Sequence, residues 1–107
     1  LKIEVYAEDG DSVRSLDAYE AENASFASEY KAYLIDRENA LVGLHVSSYD
    51  GENYYLLLHF DGYELAELAK VPLASDLPDL TRATVADGWL YIFTADETDF
   101  TAVQLYR

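Results

Sequence analysis

The stretch Tyr54-Tyr55-Leu56-Leu57-Leu58-His59-Phe60-Asp61-Gly62-Tyr63 decides how this chain is read. A short aromatic and aliphatic run, closed by Asp-Gly before a second run, is a strong local hairpin signal, because glycine accepts the positive φ of a tight turn. Residues 54–60 and 63–71 are therefore expected to pair through the two-residue turn Asp61-Gly62. Similar segments stand on either side at a spacing near fifty residues: Lys2-Ile3-Glu4-Val5-Tyr6 and Thr101-Ala102-Val103-Gln104-Leu105-Tyr106. Strand-filled repeats of that period point to propeller blades, four-stranded antiparallel sheets with no chemistry of their own.

Working outward, alternation and turn residues divide the chain into nine expected strands. They are 2–7 and 13–21; 30–36, 41–47, 54–60 and 63–71; and 81–86, 89–95 and 100–106. Residues 22–29 read as a connector with room for one helical turn. A helix over 63–70 competes with the fourth strand of the middle unit, since its Leu and Ala spacing and good helix formers fit that period. The hairpin turn outweighs it. Pro72 and Pro78 bracket a loop between units, Asp87-Gly88 joins the next pair, and Asp96-Glu97-Thr98-Asp99 the last.

The expected fold is all-β, a single domain over 1–107 with blade-like units at about 1–21, 30–73 and 81–107. Two and a quarter four-stranded blades fall short of the roughly 4 to 8 that close a ring. The chain is thus expected to be a fragment of a propeller, to assemble with other copies, or to pack as a sandwich. Its first and last strands present unpaired backbone groups, which favours a homo-oligomer or strand exchange. A chain that starts at Leu1 and holds no Met is read as cut from something longer.

The 107 residues carry 21 acids against 7 bases, a net charge of -14, spread along the whole length. Such a field repels nucleic-acid phosphates and anionic membranes, leaving cations and basic proteins as partners it tolerates. Half of the residues are hydrophobic and ten are Tyr, so a packed core is expected in spite of the charge. Without Cys there is neither disulfide nor thiolate chemistry. No stretch approaches the ~18 apolar residues of a membrane span. Asn23-Ala24-Ser25 matches a glycosylation sequon.

Lys31-Ala32-Tyr33-Leu34-Ile35-Asp36, followed by Ala40-Leu41-Val42-Gly43-Leu44 and Val46-Ser47, resembles the blade pattern of a particular family. These are secreted bacterial and archaeal proteins with a C-terminal β-propeller distantly related to WD40 repeats. Arg82-Ala83 with Asp87-Gly88-Trp89-Leu90-Tyr91-Ile92-Phe93 looks like the start of the next blade, and 1–6 like the third strand of the one before. The resemblance implies a C-terminal propeller segment, export or display at a bacterial cell surface, and a scaffold. It supplies no catalytic residue.

Three acidic turns are candidate Ca²⁺ sites: Asp9 and Asp11 with Ser12, Asp50 and Glu52 with Asn53, and Asp96 and Asp99 with Glu97. Calcium takes six to eight oxygens from closely spaced carboxylates and carbonyls, although Asp, Asn and Gly are also what turns are made of. His45 and His59, on neighbouring strands, could lie close enough to share a zinc ion, or be packed, hydrogen-bonded side chains. No Gly-x-Ser-x-Gly elbow is present, and with so many acids no carboxylate pair stands out.

Alternation places Trp89, Tyr91 and Phe93 on one strand face and Leu90, Ile92 and Thr94 on the other. Trp89 and Tyr91 are thereby candidate ligand-binding residues, in a position that suits either a core or an exposed aromatic platform. The function expected is a non-enzymatic, secreted or surface-displayed module that binds a protein or a glycan. The alternatives are a purely structural scaffold segment of a larger secreted protein and, behind it, an acidic carboxylate-dependent hydrolase. No cofactor is expected beyond a possible calcium ion.

Overall fold

A computed structural model describes residues 2–9, 12–20, 24–26, 32–74, 76–94 and 100–105. Ten strands fall in this order: β1 (Lys2–Asp9), β2 (Ser12–Glu20), β3 (Ala24–Phe26), β4 (Leu34–Asp36), β5 (Leu41–Ser48), β6 (Asn53–Phe60), β7 (Leu65–Pro72), β8 (Thr81–Ala86), β9 (Trp89–Thr94) and β10 (Phe100–Gln104). The chain is all-β, and the helix that competed for 63–70 is absent. A 3-10 turn, Pro78–Leu80, precedes β8. Among the described residues the strands form three antiparallel sheets and no closed ring: β1-β2, then β3-β5-β6-β7 with β4 also on β5, then β10-β9-β8.

Within the connector expected over 22–29, the described residues 24–26 form a strand. β3 pairs with the far end of β5 (Phe26 opposite Val46), and β4 with its near end (Leu34 opposite Gly43). Both run antiparallel to β5 along the same edge. Tyr30 and Lys31, expected to open that strand, lie outside the described residues. Apolar alternation across 22–29 is too short to reveal a three-residue strand, which β5 stabilises through the sheet ladder.

The two Asp-Gly pairs turn the chain differently. Ala86 pairs directly with Trp89, and Asp87 and Gly88 have φ of 53° and 81°. This is the left-handed geometry of a two-residue hairpin turn. At Asp61-Gly62 the first paired residues are Phe60 and Leu65, so the loop has four residues rather than the two expected. Asp61 explains the length: its carboxylate accepts from the Tyr63 and Glu64 N–H groups at 2.8 and 2.9 Å, building the wider loop on its own side chain. These N–H groups, Glu64's foremost, hold the Asp61 carboxyl below the ordinary carboxylate range.

The middle of the central sheet is covered on both faces. Leu41, Tyr55 and Leu57 face Leu90 and Ile92 of the third sheet, with Ala83, Val85 and Val103 packed around them. On the other face Leu44, Val46, Leu56 and Leu58 are buried, with Ile3 of the first hairpin and Tyr33 against them. Burying each such leucine contributes roughly 1.5–3 kcal/mol, which explains why 54–58 runs apolar without alternation. The stacking also brings β2 against β7, and β8 against β4 and β5.

Candidate functional site

His45 is wholly buried and joins three strands. Its Nδ1 lies 2.6 Å from Thr81 Oγ1, at the start of β8, and its Nε2 lies 2.9 Å from Asn53 Oδ1, at the start of β6. The Thr81 hydroxyl donates to the Leu77 carbonyl at 3.2 Å. With the Asn53 oxygen turned to the ring, all three bonds form together only when both imidazole nitrogens carry protons. A half-turn of the Asn53 amide satisfies the neutral ring instead. Burial pushes the His45 pKa below its ordinary 6.5, which favours the neutral ring, while the bond to Asn53 and the Asp76 charge pull the other way.

His59 lies elsewhere on the same face. It pairs with Leu41, whereas His45 pairs with Tyr55. Four residues along a strand separate them by about 13 Å, at ~3.3 Å per residue. This is too far for one zinc ion, whose ligands stand at about 2 Å. The bonds His45 makes to Thr81 and Asn53 are those of a structural histidine.

Gly51, Glu52, Asn53, Tyr54, Lys70, Pro72 and Leu73 line a surface cleft of about 410 Å³ at the end of the central sheet. Lys70 Nζ sits 4.3 Å from the centre of the Tyr54 ring, a cation–π contact. Sequence reading singled out Glu52 and Asn53 in this group, for calcium, and missed Lys70. The register that sets Leu56 opposite Lys70 and Tyr54 opposite Pro72 assembles the cleft.

The acidic turns are only partly described. Asp50 and Glu52 are exposed, and Asp50 Oδ1 accepts from the Glu52 N–H at 3.2 Å. Ser48 and that N–H hold the Asp50 carboxyl below its ordinary range. Asp9 ends β1 opposite Ser12. Asp11, Asp96, Glu97 and Asp99 lie outside the described residues, as does Asn23 of the sequon.

Trp89 and Tyr91 lie on the side of the third sheet turned away from the core. Their neighbours Leu90 and Ile92 are buried inside, while Trp89, Tyr91 and Phe93 share the outer face. The register adds Arg82, Thr84 and Ala86 from β8. From β10 it adds Phe100, Ala102 and Gln104. Tyr91 and Phe100 rings meet at 6.0 Å, and Phe93 and Phe100 remain 38% and 64% exposed. None of these nine side chains is acidic, although acids make up 21 of the 107 residues.

No family model, no curated protein and no solved structure matches this chain.

Proposed function

We propose that the chain is a non-enzymatic interaction module of propeller-type blades, and that its working surface is the outer face of the third sheet. The observation that carries this reading is an acid-free aromatic face in a strongly acidic chain. Protein interface cores are enriched in aromatics and Arg and depleted in other charges, and this face has that composition. β9 is apolar on both faces, as β6 is, yet among the described residues only its inner face is covered by another sheet.

The partner is another β-sheet, supplied by a second copy of the chain. Two copies with net charge -14 repel each other wherever acids meet, and the nine described side chains of this face bring none together. Three strands of five or six residues make a plate of about 20 by 14 Å. That is well below the ~800 Å² per partner of stable complexes, so self-association is expected to be weak. The blade reading draws support from the three antiparallel sheets and from their stacking, with β2 beside β7 and β8 beside β4 and β5. Export to the cell surface rests on the likeness of 31–47 and 82–93 to secreted propeller proteins. A non-enzymatic role is favoured by His45, whose two nitrogens are both engaged in the core.

Trp89 is the single tryptophan, so its fluorescence reports on this face directly. Light scattering and Trp89 emission are followed together over a dilution series, for the wild type and for Phe93→Lys. A mass that rises with concentration, with a blue shift of Trp89 that Phe93→Lys abolishes, is the expected result. A monomer with unchanged emission at every concentration overturns the reading. Emission that responds to an added oligosaccharide at constant mass replaces the protein partner by a glycan.

A further inference from the structure

The cleft at the end of the central sheet has walls of both charges. Lys70 brings an ammonium group and Glu52 a carboxylate to its lining; Tyr54, Pro72 and Leu73 complete an apolar side. Its volume of about 410 Å³ falls in the ~300–1,000 Å³ range of small-molecule sites. Among the described residues Lys70 has its contact with the Tyr54 ring and no carboxylate within ion-pair distance, and Glu52 has no cation. The two charges therefore line one cleft without neutralising each other.

We infer that this cleft binds a small zwitterion, with the carboxylate of the ligand on Lys70 and its ammonium on Glu52. The whole-chain charge selects against the alternatives. A simple anion meets Glu52 and the net charge of -14, and a simple cation meets Lys70, whereas a molecule carrying both charges sets each against its opposite within the cleft. The apolar side formed by Tyr54, Pro72 and Leu73 suits an aliphatic substituent, which makes an amino acid such as leucine the matching chemistry. The site lies apart from the outer face of the third sheet and does not depend on the function proposed for that face.

The test is an amide-shift NMR titration of the intact chain with L-leucine, N-acetyl-L-leucine and L-leucinamide. The two derivatives lack the positive and the negative charge respectively. Saturable shifts at Asn53, Tyr54 and Lys70 are expected with L-leucine, and binding about tenfold weaker with either derivative, the factor that one charge-assisted hydrogen bond is worth. Lys70→Gln and Glu52→Gln, both at exposed positions, are each expected to weaken L-leucine by a similar factor while leaving the rest of the spectrum in place. Equal responses to all three compounds, or no saturable response to L-leucine at ~10 mM, well above the ~1 mM scale of weak binding, overturn the inference. An answer to N-acetyl-L-leucine alone makes this a carboxylate site and equally removes the zwitterion.

Discussion

Tyr55 lies across Gly43: a Cβ built on Gly43 would come within 2.7 Å of the Tyr55 hydroxyl oxygen and 2.8 Å of its ring. The two are diagonal neighbours on β5 and β6, and the missing side chain lets the ring lie flat on the backbone. The arrangement leaves the wholly buried Tyr55 hydroxyl without a hydrogen-bond partner among the described residues. Burial accordingly pushes its pKa far above the ordinary 10.

An unsatisfied buried hydroxyl costs about 1–3 kcal/mol, so Tyr55→Phe is expected to raise stability by roughly 1 kcal/mol in urea unfolding at neutral pH. Gly43→Ala is expected to lower it by about 1–3 kcal/mol through overpacking. The double variant recovers part of that loss, because the hydroxyl is the nearer of the clashing atoms. Strict additivity of the two effects would show that the ring and the glycine do not press on each other.

Leu57 and Leu90 bring the central and third sheets together, and both are fully buried. Replacing either by Ala is expected to cost about 2–5 kcal/mol. If Leu90→Ala leaves the unfolding midpoint unchanged, the third sheet does not share the core of the second.

The His45 imidazole, depressed below the unfolded value of 6.5 by burial, binds its proton less readily in the folded chain than in the unfolded one. Its contribution to stability is complete above about pH 6.5 and declines as pH falls below that value towards the folded pKa. Unfolding free energies measured between pH 7.5 and 5 are expected to fall for the wild type and less steeply for His45→Leu. Parallel slopes for the two proteins would remove His45 as the cause.

Gly88 occupies φ of 81° in the two-residue turn between β8 and β9. Gly88→Ala places a side chain in the left-handed region at a cost of about 1–2 kcal/mol. Chemical denaturation reads this directly, and an unchanged midpoint would mean that the turn adopts another geometry in solution.

The strands of the middle and last units were legible because each reading rested on a local signal. Apolar runs stood between Asp-Gly, Pro and acidic turns, and 41–47, 54–60, 81–86 and 89–95 emerge within a residue or two as β5, β6, β8 and β9. β3 was not legible, since three residues carry no period and owe their extended state to the edge of β5. The four-residue loop at Asp61 was hidden for a related reason. An Asp-Gly pair permits two loop lengths, and the hydrogen bonds of the Asp61 carboxylate choose between them.

The candidate site divides in the same way. Trp89 and Tyr91 were visible as one face of a strand, because alternation is local, but which face met the core depended on the sheet opposite. The cleft with Lys70 joins residues from two strands, and His45 reaches Thr81 thirty-six positions away. By itself the sequence determined an all-β chain, its hairpins and its acidic surface, since period, turn chemistry and charge act between near neighbours. Only the tertiary structure decided which sheet faces are covered, which histidine is buried and which charges share a cleft, because register and stacking are set by contacts between residues far apart in the chain.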